Sequence, residues 1–448
     1  ENPARERYAA KKQRLQTAMR EAAGRSLRLG KDISHLFRDR AGQPQVHLDV
    51  RDLTEVIEVD AAAGTVDTMA MATYDSLASA CFAEGMVPAV VPQLKSITIG
   101  GAISGLGIES SSFKYGLSHE TIEEMEVLLP EGEVVVCRAD NEHSDLFFGL
   151  ANSFGTLGYV LRVKAKAVPA RRFVKLTHIH HNDPVTLFRD LKARLDAGAD
   201  FVDGVAFAPG ELAITLGHFT DEAPYTSDYT YENIYYRSIR ERQEDYLTTL
   251  DYLWRWDTDW FWCSKIFLAQ NPVVRRLFGR ERLNSKTYMK LLRINNRFSL
   301  WGRMNKLRGI YTEAVIQDVP IPIERAAEFL EFFQSEIGIR PVWLCPIRAF
   351  DREAHFPLFP LDPRVDYVNF GFWDSRRSRQ AHPPGHFNRL IETKVMELGG
   401  LKSLYSDVYL DEKAFWDVYD RPAYDRLKAK YDPNGHLKDI YRKCVLKE

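Results

Sequence analysis

Two segments in the N-terminal half of this 448-residue chain have the residue types that a phosphate-bearing ligand needs. The first runs from Thr98 to Gly116 and combines closely spaced glycines with serine hydroxyls. The second begins at Asn152 and carries the sequence Phe-Gly-Thr-Leu-Gly ahead of a strand-like run. Glycine lets a ligand approach backbone N–H groups, and serine adds small donors. Together the segments predict a site for an extended dinucleotide diphosphate. The alternative is two glycine-rich turns in an α+β domain.

These segments lack the motifs of common nucleotide and metal sites. The pattern that starts at Gly105 has Ser110 where GxGxxG requires its third glycine, which argues against a Rossmann site. GxxxxGK[ST] is absent, and so is any HExxH or carboxylate–histidine cluster with metal-ligand spacing, so we expect no metal. The densest histidine group, His178, His180 and His181, is expected in a solvated loop.

Composition excludes several classes of protein. The hydrophobic fraction of 45% and charged fraction of 27% are those of an ordinary globular protein, and the net charge of −2 gives no overall attraction to nucleic acid. Apolar stretches are too short for a bilayer span. The five cysteines are scattered and form no CxxC pair, which favours a reducing cytoplasm over a disulfide framework.

The predicted elements indicate an α+β protein with two domains and a tail. Residues 1–170 combine a first helix, several strands and the glycine turns. Residues 171–420 indicate a β-sheet with covering helices, interrupted at about 232–310 by a helical, aromatic and basic insertion. Residues 421–448 predict a turn and then an extended segment with Tyr441 and Lys443 two positions apart.

Several motifs resemble the vanillyl-alcohol-oxidase (PCMH) type of FAD flavoproteins. The resemblance is carried by the glycines from Gly100 to Gly116, the run Glu131–Val135, the segment Phe154–Gly158, and the tail with Tyr431, Asp432, Pro433, Tyr441 and Lys443. The Δ24-sterol reductase branch is similar in the segments Gly107–Ser112, Lys114–Leu117, Ser144–Phe147, Gln317–Asp318, Val342–Pro346 and Ala414–Trp416. The first phosphate loop lacks a glycine here, offering only Lys31–Ser34, and in this respect looks like actinobacterial flavoproteins of 10-methyl fatty acid synthesis.

This resemblance implies a PCMH-type FAD-binding domain at 1–170, a substrate (cap) domain at 171–420 and a tail that returns to the flavin. It also implies non-covalent FAD, with NADPH as electron donor. The expected FAD-binding residues are Lys31, Ser34, His35, Gln93, Thr98, Gly100, Gly101, Ser104, Gly105, Gly107, Ile108, Ser110, Ser111, Gly155, Thr156, Gly158, Tyr159 and Val160. Because His35 is not flanked by glycine, we expect it to form a structural hydrogen bond rather than a flavin linkage.

Two features of the insertion suggest a lipid independently of the resemblance. Trp254, Trp256, Trp260 and Trp262 fall in nine residues, and residues 271–310 carry eleven Lys and Arg against one Glu, a local net charge of +10. Indole rings beside a basic amphipathic helix are typical of an anionic membrane surface. The alternative is a core aromatic cluster with a solvated basic face or a homodimer contact. A membrane partner would place the protein in the cytoplasm, on the inner face of the plasma membrane.

The implied reaction is reduction of an isolated carbon–carbon double bond in a lipid. The first candidate substrate is a 10-methylene fatty acyl chain on a phospholipid, with a methyltransferase as functional partner, and a sterol side chain is the second. An alcohol or aldonolactone oxidase using oxygen and a flavin-holding scaffold stay open. Because hydride alone does not add to an unpolarised alkene, a proton donor is required. The candidates are Tyr441, Glu109, Lys443, Asp318 and Tyr115.

Overall fold

The computed structural model describes residues 2–22, 24–31, 34, 36–37, 46–298 and 300–448, without the side chains of residues 296–298 and 300. Helices and sheets are both present, so the α+β prediction is confirmed. The strands of these residues form two large sheets and one short parallel pair. The chain passes from the first large sheet to the second between Pro169 and Phe173.

The first large sheet is antiparallel and is built from residues 56–169. Its elements, with the preceding helix and strand pair, are α1 (Pro3–Glu21), β1 (Leu27–Gly30), β2 (Val46–Asp49), β3 (Val56–Asp60), β4 (Thr65–Met69), α2 (Tyr74–Ala83), β5 (Met86–Pro88), α3 (Ile99–Ser104), α4 (Ser112–Tyr115), β6 (Ile122–Leu128), β7 (Val134–Cys137), α5 (Ser144–Gly149) and β8 (Tyr159–Pro169). The strand order is β3-β4-β8-β6-β7, and β5 also pairs with β8. Side chains of β8 alternate between buried and half-buried, the period of a strand with one core face.

The second sheet has seven antiparallel strands in the order β12-β9-β11-β10-β14-β15-β13. Its elements and the remaining helices are β9 (Phe173–His181), α6 (Pro184–Arg194), β10 (Phe201–Ala208), β11 (Glu211–Thr220), α7 (Tyr235–Glu241), β12 (Glu244–Thr248), α8 (Thr249–Leu253), α9 (Pro272–Phe278), α10 (Ser285–Phe298), α11 (Leu300–Leu307), β13 (Tyr311–Pro322), α12 (Ala326–Phe332), β14 (Val342–Ile347), β15 (Tyr367–Ser378), α13 (His386–Glu397), α14 (Glu412–Val418), α15 (Arg421–Tyr431) and α16 (Ile440–Cys444). Helices α6, α12 and α13 cover one face of this sheet. The opposite face joins a core shared with the first sheet and the insertion.

Three local predictions are wrong. The apolar pattern of residues 205–216 predicts one strand, but the structure has a hairpin, β10 and β11, that turns at Gly210, which has a φ of +78°. The insertion is not wholly helical, because β12 pairs with β9 at the sheet edge. The histidine group lies in β9 rather than in a loop, and His178 is buried with its Nδ1 2.8 Å from the Thr215 hydroxyl.

The tryptophan run is part of the core. Trp254, Trp256, Trp260 and Trp262 are each at most 8% exposed. They therefore offer no indole ring to a membrane surface, and this part of the membrane argument is wrong. The burial follows from packing, since Trp256 stacks on Phe261 with ring centroids 4.8 Å apart. In the described residues no helix is both long and apolar enough to cross a bilayer.

Candidate functional site

One large cavity of about 1550 Å³ lies between the first sheet, the insertion, the edge of the second sheet and the C-terminal tail. Most small-molecule sites occupy about 300–1,000 Å³, so this space is large enough for a dinucleotide and part of a second molecule. Its wall has a basic part and an aromatic part, which are supplied by different elements. Glycines of both segments also line the cavity.

The basic part is formed by β1, β2 and the tail. Leu437 of the tail belongs to the same apolar cluster as Leu27 and Leu29 of β1, which brings these elements together. The cations that line this part are Arg25, Arg28, Lys31, Arg51, Lys438, Arg442, Lys443 and Lys447. Such a group of Lys and Arg side chains suits the phosphates of a dinucleotide.

The glycines of α3 act chiefly by allowing close backbone packing. The N–H of Gly100 donates to the Ala70 carbonyl at 2.7 Å, and a Cβ at Gly100 would lie 2.8 Å from that oxygen. The N–H of Gly101 donates to the Thr98 hydroxyl at 3.2 Å. These donors are therefore used inside the protein, and the glycines contribute a surface without side chains that a ligand can approach.

The second glycine segment is a strained turn at the cavity wall. Phe154 and Gly155 have φ values of 51° and 74°, in the left-handed region that favours glycine. A Cβ at Gly155 would lie 2.9 Å from the Tyr159 ring and 3.6 Å from Lys443 Nζ, so a side chain would fill the space that the cavity uses. Lys443 Nζ donates to the Phe154 carbonyl at 2.6 Å and ties the tail to this turn. A left-handed non-glycine residue costs about 1–3 kcal/mol and persists only where surrounding contacts impose it.

Thirteen of the expected FAD-binding residues line the cavity. They are Lys31, Ser34, Gln93, Thr98, Gly100, Gly101, Ser104, Gly105, Gly107, Ile108, Gly155, Tyr159 and Val160. Two candidate proton donors, Asp318 and Lys443, line it as well. The prediction for His35 lies outside the described residues. These placements fit FAD, because a glycine surface, serine and threonine hydroxyls and a basic part face one cavity.

Four expected FAD-binding residues do not line the cavity. The Ser110 hydroxyl is 2.9 Å from that of Tyr252, and the Ser111 hydroxyl donates to the Ala89 carbonyl at 2.7 Å. The Thr156 hydroxyl donates to the Ser153 carbonyl at 2.7 Å. A Cβ at Gly158 would lie 2.8 Å from Val127 of β6, so Gly158 is needed for strand packing. The chain turns away from the cavity at these positions, so these hydroxyls form hydrogen bonds within the protein and the Gly158 backbone packs against β6.

Glu109 and Tyr115 also lie away from the cavity, which corrects two proton-donor predictions. Both border a separate, water-sized space of about 20 Å³. Glu109 is 1% exposed, and its Oε1 accepts from Arg255 at 3.0 Å. Burial raises the pKa of Glu109, while the Arg255 charge opposes that rise. Glu109 therefore fixes its loop, which was the alternative role of a hydrogen-bonded carboxylate.

The side chains of Tyr441 and Lys443 point in different directions from the C-terminal tail. An extended segment would place positions i and i+2 on one face, whereas α16 rotates them about 200° apart. Lys443 lines the cavity. The Tyr441 ring instead packs on Phe415, and its hydroxyl donates to the Leu410 carbonyl at 3.3 Å. The prediction of Tyr441 as proton donor is thus contradicted by the helical conformation of the tail.

The aromatic part of the cavity is built from the insertion and from strands β14 and β15. It is lined by Phe37, Trp260, Phe261, Trp343, Trp373 and Tyr405. Phe261 contacts Trp373 with ring centroids 4.3 Å apart, and Phe37 stacks on Trp260 at 5.6 Å. Trp260 and Phe261 have left-handed φ values of 47° and 61°. Their turn is anchored by Asp257, which accepts from the Lys95 N–H at 3.0 Å and the Ser285 hydroxyl at 2.7 Å.

Asp318 lies in this aromatic part, within a short hydrogen-bonded chain. Its Oδ2 accepts from the Tyr405 hydroxyl at 2.8 Å, and its Oδ1 accepts from Asn369 at 2.7 Å. The Trp373 indole N–H donates to the Tyr405 hydroxyl at 3.0 Å. Burial raises the pKa of Asp318 to about 6, which suits a group that exchanges protons near neutral pH.

Sequence reasoning missed Tyr405, Trp343, Trp373 and Phe37. No glycine or charge pattern marks them, and they meet only because β14, β15 and the segment after α13 converge on the cavity. For the tryptophan run, which includes Trp260, the sequence leaves open a membrane surface and a core aromatic cluster, and neither interpretation predicts that Trp260 and its neighbour Phe261 line a cavity. Their left-handed turn, which follows from no local motif, directs them into the cavity.

Comparisons with known proteins agree with this geometry. Residues 3–138 match the family described as an FAD binding domain. The Δ24-sterol reductase of Homo sapiens is 28% identical over 411 residues, which cover 88% of this chain and 76% of that protein. The enzyme of Arabidopsis thaliana is 25% identical over 435 residues, covering 88% and 76%. Cytokinin dehydrogenase 6 of Oryza sativa subsp. japonica is 28% identical over 178 residues, covering 39% and 33%.

Proposed function

We propose that this chain is a flavin-dependent oxidoreductase, similar to the FAD binding domain family and to the Δ24-sterol reductases, that reduces an isolated carbon–carbon double bond in a lipid. The observation that carries the proposal is the Asp318–Tyr405–Trp373 chain inside the aromatic part of the cavity. An aromatic wall suits an apolar substrate, and the hydrogen-bonded chain can supply the proton that an alkene needs.

Non-covalent FAD would be held by the glycine surface and the basic part of the cavity, and when reduced it supplies a hydride. NADPH is the proposed electron donor. The strained turn at Gly155 keeps the wall free of side chains, and Lys443 holds that turn against the tail. These residues would orient the cofactor.

Proton transfer is assigned to Tyr405 with Asp318 behind it. When Asp318 is protonated, the Tyr405 oxygen can accept from Asp318 Oδ2 and from the Trp373 indole N–H. The phenol hydrogen is then directed into the cavity. One alkene carbon takes the hydride and the other takes the phenol proton, while Asp318 returns its own proton to Tyr405. The products are a saturated lipid and an ionised Asp318 that is reprotonated from solvent.

The preferred substrate is a 10-methylene fatty acyl chain on a phospholipid, reduced to the 10-methyl form. A methylene branch must first be made by methyl transfer to an unsaturated chain, so a methyltransferase is the proposed functional partner. The second candidate is a sterol side chain, favoured by the names of the relatives that cover most of the chain. An oxygen-using alcohol or aldonolactone oxidase is less well supported, because polar substrates do not suit an aromatic wall.

The test separates the two half-reactions. Purified protein is loaded with FAD, reduced anaerobically by NADPH, and mixed with a 10-methylene phospholipid, with a Δ24-unsaturated sterol, or with oxygen. We expect the phospholipid to reoxidise the flavin and to gain two hydrogens by mass spectrometry. Preferential reoxidation by the sterol would select the second substrate. Reoxidation by oxygen alone would overturn the reductase proposal. Failure of NADPH to reduce the flavin would exclude NADPH as the electron donor and would leave the scaffold and the oxidase, which takes its electrons from its own substrate.

A further inference from the structure

Helices α9, α10 and α11 expose an unusual combination of cations and large apolar side chains. We call this region, residues 268–308, the docking surface. Its exposed apolar side chains are Leu268, Val273, Leu277, Ile294, Trp301, Met304 and Leu307, with exposures from 37% for Trp301 to 89% for Leu307. Its exposed cations are Arg276, Arg280, Arg282, Lys286, Lys290, Arg293, Arg303, Lys306 and Arg308. Contiguous exposed apolar groups mark interaction sites on soluble proteins.

Most of the charge on this surface is not neutralised. Arg275 is buried and pairs with Asp259 at 2.6 Å, so it does not contribute. Arg276 and Arg280 have exposed acidic neighbours at 3.7 and 3.2 Å. In the part of the chain that the structure describes, Lys286, Lys290, Arg303 and Lys306 form no ion pair. The surface therefore presents a positive field to a partner.

Aromatic packing joins the three helices side by side. The ring of Tyr288 in α10 stacks on Phe267, with centroids 5.5 Å apart, and lies 6.4 Å from Phe278 of α9. Phe267 also contacts Trp301 of α11 at 6.0 Å. The exposed Leu268 directly follows Phe267. These contacts pack together the three helices that carry the exposed apolar and basic groups.

Helix α10 lies beside the cavity. Tyr288 and Met289 share an apolar cluster with Leu94 and Trp260, both of which line the aromatic part. Arg293 also lines the cavity and donates to the Ser34 carbonyl at 2.9 Å. A single helix therefore separates the docking surface from the place where an apolar substrate would bind.

We propose that the docking surface binds an anionic lipid bilayer and that the lipid substrate enters the cavity beside α10. Lys and Arg side chains attract anionic headgroups, while the leucines and Trp301 insert into the boundary between headgroups and acyl chains. Docking stands on the charges and exposures above. Entry of the substrate from the bilayer rests in addition on the proposed function.

The main test measures sedimentation with vesicles of phosphatidylcholine alone or mixed with phosphatidylglycerol, without NADPH or substrate. We expect binding to the mixed vesicles only, and a loss of at least about 100-fold in the variant K286E/K290E/K306E. The control R352E/R364E/K413E makes the same charge change at exposed sites outside the docking surface and should bind like the parent. Equal binding by both variants, or no binding by the parent at low salt, would overturn the proposal.

A second variant tests the apolar contribution. L277S/L307S removes two of the most exposed apolar side chains and should weaken binding at both low and high salt, because apolar insertion is not screened. If L277S/L307S instead dissociates a concentration-dependent dimer while vesicles are ignored, the occupant is a second copy of the chain and the bilayer proposal is wrong.

The activity arm distinguishes docking from the proposed function. With lipid in phosphatidylglycerol-containing vesicles, K286E/K290E/K306E should need much more lipid for the same rate than the parent. With the same lipid in detergent micelles, variant and parent should be equal. A normal rate with vesicles would overturn entry from the bilayer. If the parent reduces no lipid in either form while vesicle binding persists, the proposed function fails and docking stands.

Discussion

Two carboxylates, the half-buried Asp318 at the cavity wall and the buried Glu109 away from the cavity, have surroundings that differ in one respect. Glu109 shares the Arg255 guanidinium with Asp203, at 3.0 and 2.8 Å. Asp318 accepts hydrogen bonds from neutral donors alone among the described residues, namely Asn369 and Tyr405. Burial raises the pKa of both acids, but the cation opposes the rise at Glu109.

This difference distinguishes a carboxylate that stabilises the fold from one that can transfer a proton. A carboxylate paired with a buried cation ties together the elements that carry the two groups. A carboxylate surrounded by neutral donors at a cavity wall can gain and lose a proton. Trp343 lies at the boundary, because it lines the cavity while its indole N–H donates to Asp203 at 3.2 Å.

The largest expected effect is at Tyr405. The Tyr405→Phe variant should lower the rate of flavin reoxidation by lipid by about 10²–10⁴-fold, because the phenol proton is lost from the cavity. Reduction of FAD by NADPH should be unchanged, since that step needs no acid. Stopped-flow traces of the two half-reactions measure both. Tyr441→Phe is the matched control, since its hydroxyl bonds only the Leu410 carbonyl among described partners. An equal loss in both variants would contradict the assignment.

The second largest effect is expected on stability, at Arg255, the cation that pairs with Glu109. The Arg255→Met variant should lower the free energy of unfolding by about 3–5 kcal/mol, because Glu109 and Asp203 would stay buried without their cation. Urea unfolding measures the loss, with the exposed Arg352→Met as control. The loss should shrink as the pH is lowered, since protonation of Glu109, whose pKa burial raises, removes an unpaired buried charge. A loss that does not depend on pH would show that packing rather than charge is responsible.

The pH dependence of lipid reduction should identify Asp318. The active form is the protonated acid, whose pKa is about 6, so the rate should be highest below that value. As the pH rises above 6, the rate should fall towards tenfold per unit, because each unit removes about nine-tenths of the remaining protonated acid. Asp318→Asn should give a lower rate without this pH dependence. A decline that persists in Asp318→Asn would assign the titration to another group.

The smallest effect is expected for Glu109→Gln. The amide keeps the shape of the side chain but loses a charged partner of Arg255, so unfolding should become easier by about 1–3 kcal/mol. Lipid reduction per folded molecule should be retained, because Glu109 does not line the cavity. In the contrary outcome, NADPH reduces the flavin of Glu109→Gln but the variant no longer reduces lipid. Glu109 would then be the acid that the reaction needs.

Much of the fold follows from local sequence. The helix α1 begins at Pro3 after Asn2, whose side chain accepts from the Ala4 N–H at 2.9 Å, and β8 follows a strict alternation of burial. The glycine segments lie at the cavity wall as expected of a ligand-binding surface. Local rules fail at the tail, where helix α16 forms in place of an extended segment and turns Tyr441 away from Lys443.

The sequence by itself determined the α+β class, the glycine-lined surface for a dinucleotide and the excess of positive charge between residues 271 and 310. These features depend on residue type and short spacing, which act within one or two turns of chain. Only the tertiary structure decided which acid faces the cavity and whether the tryptophans face solvent. Tyr405, Trp373 and Asp318 come from three separate segments, and their meeting depends on sheet register and core packing. The local sequence does not predict such long-range contacts, because each residue contacts partners that are distant along the chain.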